Sequence, residues 1–186
     1  EEGLPIADRR RVIDSARRAA ERAGVPVVTG DTKVVGRGAG DQIFINTSGI
    51  GLVPPGRTLG SAQVRPGDAI LLSGPIGDHG VAIMAARAGL ALEGDVASDT
   101  APLYALAAAI LHAAPEVHAM RDPTRGGLAA TLVEIATRRH LGIEIDEAAI
   151  PVREPVRGAC ELLGLDPLLV ANEGKAANTA QIDRRA

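Results

Sequence analysis

Four short turns in the sequence combine glycine or another small residue with acidic, cationic or hydroxyl side chains. They are residues 30–33 (Gly-Asp-Thr-Lys), 77–80 (Gly-Asp-His-Gly), 122–127 (Asp-Pro-Thr-Arg-Gly-Gly) and 172–175 (Asn-Glu-Gly-Lys). Glycine lets backbone N–H groups approach an anion, and a helix N-terminus adds partial positive charge. Carboxylates are the ligands that a phosphate-bound Mg²⁺ prefers. No turn has the spacing of a P-loop or of a dinucleotide-binding fingerprint. Together the four turns predict a nucleotide or phosphate site.

The elements that carry these turns are interleaved helices and strands. Apolar periodicity predicts a helix at 4–23, and β-branched runs predict strands at 25–29, 33–35 and 41–47. Farther along, the same signals predict strands at 68–73, 117–120, 142–146 and 168–171, and helices at 81–88, 101–113, 128–139 and 155–163. Residues 98–100 (Ser-Asp-Thr) have the composition of an N-cap for the helix at 101–113. This order predicts an α/β or α+β fold.

A stretch rich in proline and glycine at 54–67 separates two units. We therefore expect domains at 1–63 and 64–175, followed by a polar tail at 176–186. The first unit has one predicted helix and three or four strands, which is too little to cover both faces of a sheet. We expect it to continue upstream or to pack against a partner.

Composition excludes several classes of function. The chain of 186 residues has one Phe, one Tyr and a formal net charge of −3. It therefore lacks both the stacking platforms and the basic footprint of a nucleic-acid-binding protein. No apolar run approaches the ~20 residues that a membrane span needs, and no signal peptide is visible. The single cysteine, Cys160, fits a cytoplasmic location and a buried position on a helix.

Six segments resemble one family closely and in order. They are residues 30–35, 41–51, 73–80, 121–127, 157–166 and 171–175. Together they resemble the HypE family of hydrogenase maturation proteins over positions 1–175. The resemblance implies the fold of aminoimidazole-ribonucleotide synthetase (the PurM-like fold), with both domains incomplete here. It also implies a homodimer formed through the N-terminal domain, with ATP bound between the two domains.

The same resemblance implies an ATP-dependent carbamoyl dehydratase. The family converts a carboxamide on its own C-terminal cysteine into a thiocyanate, which supplies the cyanide ligand of the nickel–iron hydrogenase site. The implied cofactors are ATP and Mg²⁺. The implied partners are a carbamoyltransferase and an iron-scaffold maturation protein, with no nucleic acid and no membrane.

Residue roles follow from the positions that match the family. Three side chains are the expected catalytic groups, namely Lys33, Glu173 and His79. Nine residues are expected to bind ATP or its metal, namely Asp31, Thr32, Asp78, Asp122, Thr124, Arg125, Gly126, Gly127 and Asn172. Among these, Asp31, Asp78 and Asp122 are the expected Mg²⁺ ligands.

The chain departs from the family at both ends. The glycine-rich, acidic opening segment of the family is missing upstream, and the chain after Lys175 is polar and lacks the terminal cysteine. We therefore expect a truncated gene product or a fragment, with feeble or absent ATP hydrolysis on its own. Two alternatives stay open. One is another ATP-using enzyme of the fold, such as selenophosphate synthetase or thiamine-monophosphate kinase. The other is a non-catalytic module for dimerisation or partner binding.

Overall fold

A computed structural model describes residues 1–90 and 94–181, and it divides the chain into two compact units. The first unit is Glu1–Gly56, and the second begins at Arg57. This division falls inside the proline- and glycine-rich stretch at 54–67.

The first unit contains one helix, α1 (Ile6–Ala23), as the apolar periodicity predicts. It begins directly after Pro5 and ends at Gly24, whose left-handed conformation (φ 65°) turns the N–H back to the carbonyls of the last turn. Residues 25–53 are mostly extended, but no strand pairing forms in the described part of this unit. The predicted strands at 25–29, 33–35 and 41–47 are therefore absent as strands. Their β-branched residues have the right composition, but none of these segments meets a neighbouring strand here, and Val28 is 86% exposed.

The second unit contains a three-stranded sheet. Its strands are β1 (Asp68–Leu72), β2 (Val117–Arg121) and β3 (Ala177–Gln181). β3 lies in the middle and is antiparallel to both neighbours, with Thr179 opposite Ile70 on one side and Ala119 on the other. These residues were predicted to belong to a polar tail, and that prediction is wrong for them. They form the central strand because pairing on both edges satisfies their backbone groups, which composition does not reveal. Residues 182–186 of that tail lie outside the described residues.

The described part of the second unit also contains four helices: α2 (Asp78–Ala88), α3 (Tyr104–Ala113), α4 (Gly127–Arg139) and α5 (Glu154–Leu163). All four lie close to their predicted positions. However, α3 begins only at Tyr104, after Leu103, so residues 98–100 do not cap it. These three residues make other contacts, which are described below.

Two predicted strands of the second unit are absent. Residues 142–146 are extended, and Ile143 packs against the core under α4, but the segment pairs with no described strand. Residues 167–169 form a short 3₁₀ turn, in which Asp166 Oδ1 accepts the Leu168 N–H at 2.9 Å. Local side-chain capping therefore replaces the ladder that the apolar run predicts.

The hydrophobic core of the second unit holds α2 and α4, whose N-termini carry two of the four turns. Leu128 and Leu132 of α4 pack on the sheet against Ile70 and Leu72. A second cluster joins α2 to α5 and includes Val81, Val156 and Cys160. Cys160 is buried, as predicted, and this burial raises the pKa of its thiol.

Candidate functional site

Three of the four turns meet at the fully buried side chain of Asn172. Its Oδ1 accepts the Gly77 N–H at 2.7 Å, and its Nδ2 donates to the carbonyls of Pro123 and Val170, each at 3.1 Å. Its own N–H also donates to the Pro123 carbonyl. The turns at 77–80, 122–127 and 172–175 are therefore adjacent. Asn172 was predicted to contact ATP; here both N–H groups of its side-chain amide donate to backbone carbonyls and its Oδ1 accepts the Gly77 N–H.

The turn at 77–80 is held tightly against its surroundings. Gly77 has φ 91°, and a Cβ there would lie 2.8 Å from Cγ1 of Val156. The next residue, Asp78, begins α2 but is buried, with Nε and Nη2 of Arg153 each 2.6 Å from its Oδ1. This ion pair favours a structural role for Asp78 over the expected role as a Mg²⁺ ligand, because the carboxylate already has a charged partner.

His79 is half-buried and faces residues 98–100. Its Nδ1 lies 2.8 Å from Oγ of Ser98. Ser98 Oγ in turn lies 2.7 Å from Oγ1 of Thr100. The ring is thus held by a hydroxyl pair through one nitrogen.

The turn at 122–127 opens α4 with two glycines in the left-handed region. Gly126 has φ 72° and Gly127 has φ 64°. A Cβ on Gly127 would lie 2.5 Å from the Leu168 carbonyl oxygen, so only glycine fits there. Asp122 and Arg125 are exposed and Thr124 is half-buried. No side chain caps the helix, and the Gly127 N–H donates to the Thr124 carbonyl at 3.0 Å.

An ion pair borders this turn. Arg121, at the end of β2, donates to Oε1 of Glu134 on α4 at 2.9 Å. The hydrogen bond and the charge of Arg121 lower the pKa of Glu134. Arg121 is therefore engaged by Glu134, and its Nε is 4.0 Å from Oδ1 of Asp122.

The turn at 172–175 presents one exposed carboxylate on a fixed backbone. Glu173 is exposed, whereas Asn172 and Gly174 on either side of it are buried. The Glu173 N–H donates to Oδ1 of Asp99 at 3.1 Å. Nζ of Lys175 lies 3.5 Å from Oδ2 of the same Asp99. Sequence reasoning missed Asp99, because the Ser-Asp-Thr signal was assigned to a helix cap.

The fourth turn belongs to the first unit. Asp31, Thr32 and Lys33 are all exposed there. Oδ1 of Asp31 accepts the Thr32 N–H at 2.7 Å, which fixes the acid locally. In the described first unit Lys33 makes no ion pair with Asp31, so its ammonium is not committed to that carboxylate.

A cavity of about 830 Å³ lies elsewhere in the second unit. It is lined by β1, by the core-facing side of α4 and by residues 141–151, and none of the predicted site residues is in this lining. Its lining has titratable groups of its own, namely Arg65, Asp68, Glu144 and Asp146. Among residues 1–90 and 94–181, no group of three or more His, Cys, Asp or Glu side chains is arranged to hold a metal ion. No described helix is both long and apolar enough to cross a membrane.

Comparison with known proteins assigns the class to which this fold and site belong. The N-terminal domain of AIR synthase related proteins matches residues 3–53, and their C-terminal domain matches residues 65–181. The chain belongs to the AIR synthase related protein family.

Individual relatives show which members of this family the chain resembles. The carbamoyl dehydratase HypE of Azotobacter vinelandii is 61% identical over 175 residues, which are 94% of this chain and 51% of that protein. A crystal structure of a HypE–HypF complex matches with a TM-score of 0.93 and 45% identity, over 97% of this chain and 59% of that one. A HypE structure in complex with ATP matches with a TM-score of 0.88 and 44% identity, over 99% of this chain and 55% of that one. The expected resemblance to HypE is thus confirmed, and the chain spans about half the length of the curated relatives it matches.

Proposed function

We propose that this chain is the nucleotide-handling portion of a HypE-type carbamoyl dehydratase. The observation that carries the proposal is the 61% identity to a carbamoyl dehydratase over 94% of the chain. The structural likeness to a HypE solved with ATP supports ATP as the nucleotide. A cytoplasmic location follows from the same assignment.

The proposed chemistry removes the oxygen of a carboxamide. The amide oxygen attacks the γ-phosphorus of ATP, a C–O–P link forms, and the bond to ADP breaks. The nitrogen then loses its two protons and the C–O bond breaks, so that phosphate departs and a C≡N bond remains. Phosphorylation is needed because the unmodified amide oxygen is a poor leaving group.

The chain's own residues take defined parts in this sequence. Lys33 in the first unit and Arg125 in the second are assigned to hold phosphate oxygens and to offset charge that develops during transfer. Glu173 is the proposed base for an amide proton, because its carboxylate is exposed on an anchored backbone. His79 is the second proposed base.

Backbone and metal contacts complete the assignment. The exposed Gly126 N–H and the Thr124 hydroxyl are suited to phosphate oxygens at the start of α4, and Gly127, whose N–H donates to the Thr124 carbonyl at 3.0 Å, holds the shape of this turn. Mg²⁺ carried with ATP would neutralise phosphate charge, and the exposed carboxylates of Asp31 and Asp122 fit it as ligands. Asp78 does not fit, since Arg153 occupies its carboxylate.

The proposed assembly is a homodimer that works with a carbamoyltransferase and an iron-scaffold maturation protein. The likeness to a HypE–HypF complex supports a maturation partner. The exposed apolar residues of the extended first unit, such as Val28 and Phe44, support burial against another chain.

Calorimetric titration with MgATP tests the proposal. We expect one site per chain, and Arg125→Ala should raise Kd by about 10- to 100-fold, since a charge-assisted contact contributes about 1.5–3 kcal/mol. Arg138→Ala is the matched control, because Arg138 is an exposed arginine in the last turn of the same helix. Absence of ATP binding together with retained dimerisation would favour the non-catalytic module instead.

A further inference from the structure

We propose that residues 98–100 form a support loop that positions Glu173 and His79, the two proposed bases, although the loop itself contacts no reacting atom. The inference rests on the proposed function and adds Ser98 and Asp99 to it as positioning residues. It is carried by hydrogen bonds that join this one loop to both bases.

Asp99 fixes the backbone of Glu173. Its side chain is 5% exposed, and Oδ1 accepts the Glu173 N–H at 3.1 Å. Its Oδ2 lies 3.5 Å from Nζ of Lys175, whose side chain is itself 16% exposed. One carboxylate therefore holds the turn on both sides of Gly174. A hydrogen bond to a charged carboxylate is stronger in a low-dielectric site than in water, so this contact restricts the Glu173 backbone.

The two loops also touch through their backbones. A Cβ on Gly174 would lie 1.7 Å from the Asp99 carbonyl oxygen and 3.0 Å from the Ala101 nitrogen. Glycine is required at this position so that residues 98–100 can lie directly against the turn at 172–175. The buried Asn172 anchors the other side of Glu173 through its contacts with the turns at 77–80 and 122–127. The only exposed residue of this segment, Glu173, thus extends from a backbone that is fixed on both sides.

Ser98 and Thr100 fix the ring of His79. Ser98 Oγ accepts the Thr100 N–H at 3.2 Å, contacts Thr100 Oγ1 at 2.7 Å and contacts His79 Nδ1 at 2.8 Å. Two proton arrangements satisfy these contacts. Either Thr100 donates to Ser98 and Ser98 donates to Nδ1, or Nδ1–H donates to Ser98 and Ser98 donates to Thr100. Nε2 carries the ring proton in the first arrangement and a free lone pair in the second, so the second arrangement is the one in which His79 can accept a proton.

This support matters because proton transfer requires heavy atoms within hydrogen-bonding distance. A base displaced by about 1 Å loses on the order of 100-fold in rate. The side chains of Glu173 and His79 come from turns that are almost a hundred residues apart, and the loop at 98–100 contacts both turns.

The first test measures hydrogen exchange at single amides by NMR in the whole chain. Asp99→Ala should speed exchange of the Glu173 amide at least tenfold, whereas Asp99→Asn, which keeps an acceptor oxygen, should stay within about threefold of the parent. Asp166→Ala is the matched control, because Asp166 accepts the Leu168 N–H in the same way at 2.9 Å. It should release Leu168 and leave Glu173 protected. Unchanged Glu173 exchange in Asp99→Ala would overturn the proposal.

The second test reads the ring of His79 through its ¹⁵N chemical shifts. Ser98→Ala should change the balance of the two neutral tautomers, and Ser98→Thr should restore the parent shifts. Ser15→Ala, an exposed serine on α1, should leave them unchanged. If Ser98→Ala leaves both ring nitrogens at their parent shifts, Ser98 does not hold the ring and the proposal is wrong for His79.

Calorimetry with MgATP separates positioning from nucleotide contact. We expect Asp99→Asn to bind MgATP within about threefold of the parent chain. A loss of tenfold or more, with Glu173 still protected, would show that residues 98–100 belong to the nucleotide site and would refute a positioning role. The two NMR tests need no nucleotide, so they decide the positioning proposal even if the parent chain fails to bind ATP.

Discussion

The central strand β3 contains a buried hydroxyl that has no hydrogen-bond partner among the described residues. Thr179 is 4% exposed, lies between Ile70 of β1 and Ala119 of β2, and its Oγ1 is unpaired. An unsatisfied buried polar group costs about 1–3 kcal/mol, and valine has nearly the same shape as threonine. We therefore expect Thr179→Val to increase the free energy of unfolding of the second unit by about 1–2 kcal/mol.

Thr131 supplies a matched control for this substitution. It is also 4% exposed, but its Oγ1 donates to the Gly127 carbonyl at 3.1 Å. Thr131→Val removes a made hydrogen bond and should cost about 0.5–1.5 kcal/mol. The two substitutions are chemically identical and should have opposite effects.

Urea denaturation followed by far-ultraviolet circular dichroism measures both effects. With a slope of about 2 kcal/mol per molar urea, the expected gain for Thr179→Val raises the midpoint by roughly 0.5–1 M. A lower midpoint for Thr179→Val, or equal shifts for the two valine variants, would refute the assignment of Thr179 as an uncompensated group.

Two further substitutions test the site's framework. Gly127→Ala should destabilise the second unit by roughly 2–5 kcal/mol, because it combines left-handed strain with a clash against the Leu168 carbonyl. Gly164→Ala is the control, since Gly164 has a similar φ of 66° but open space around it, and it should cost only about 1–2 kcal/mol. Equal losses of stability for the two variants in thermal melts would contradict this. Glu134→Gln should make the free energy of unfolding depend less on pH in the acid range. Arg121 lowers the folded-state pKa of Glu134, so the parent has this stabilisation above the unfolded pKa and loses it as pH falls through the folded one. Identical acid dependence of parent and variant in urea melts would count against the Arg121 contact.

The helices and two of the three strands could be predicted because their signals are local. Apolar periodicity and terminal glycines mark α1, α2, α4 and α5, and a short apolar run marks β1. The predictions failed where a distant segment decides the outcome. β3 is polar in composition, yet it is buried because β1 and β2 pair with both of its edges. The strand predictions for the β-branched runs of the first unit were wrong for the opposite reason. These runs have the composition of strands, but no described segment pairs with them.

The candidate site was predictable in residue type but not in detail. The four turns were identified from composition, and three of them do meet. Their meeting depends on Asn172, whose contacts with Gly77 and Pro123 join parts of the chain that no local pattern connects. Asp99 was missed because a Ser-Asp-Thr sequence before a helix is also the signal for an N-cap. Only the later start of α3, at Tyr104, frees this acid to bind the turn at 172–175.

Amide chemical shifts recorded during titration with MgATP show directly whether the clustered turns bind the nucleotide. We predict shifts at Gly126, Gly127 and Glu173, with no change at Ile143 or Ala149 in the lining of the 830 Å³ cavity. Shifts confined to that cavity, or no shifts at saturating MgATP, would contradict the assignment of the clustered turns as the nucleotide site.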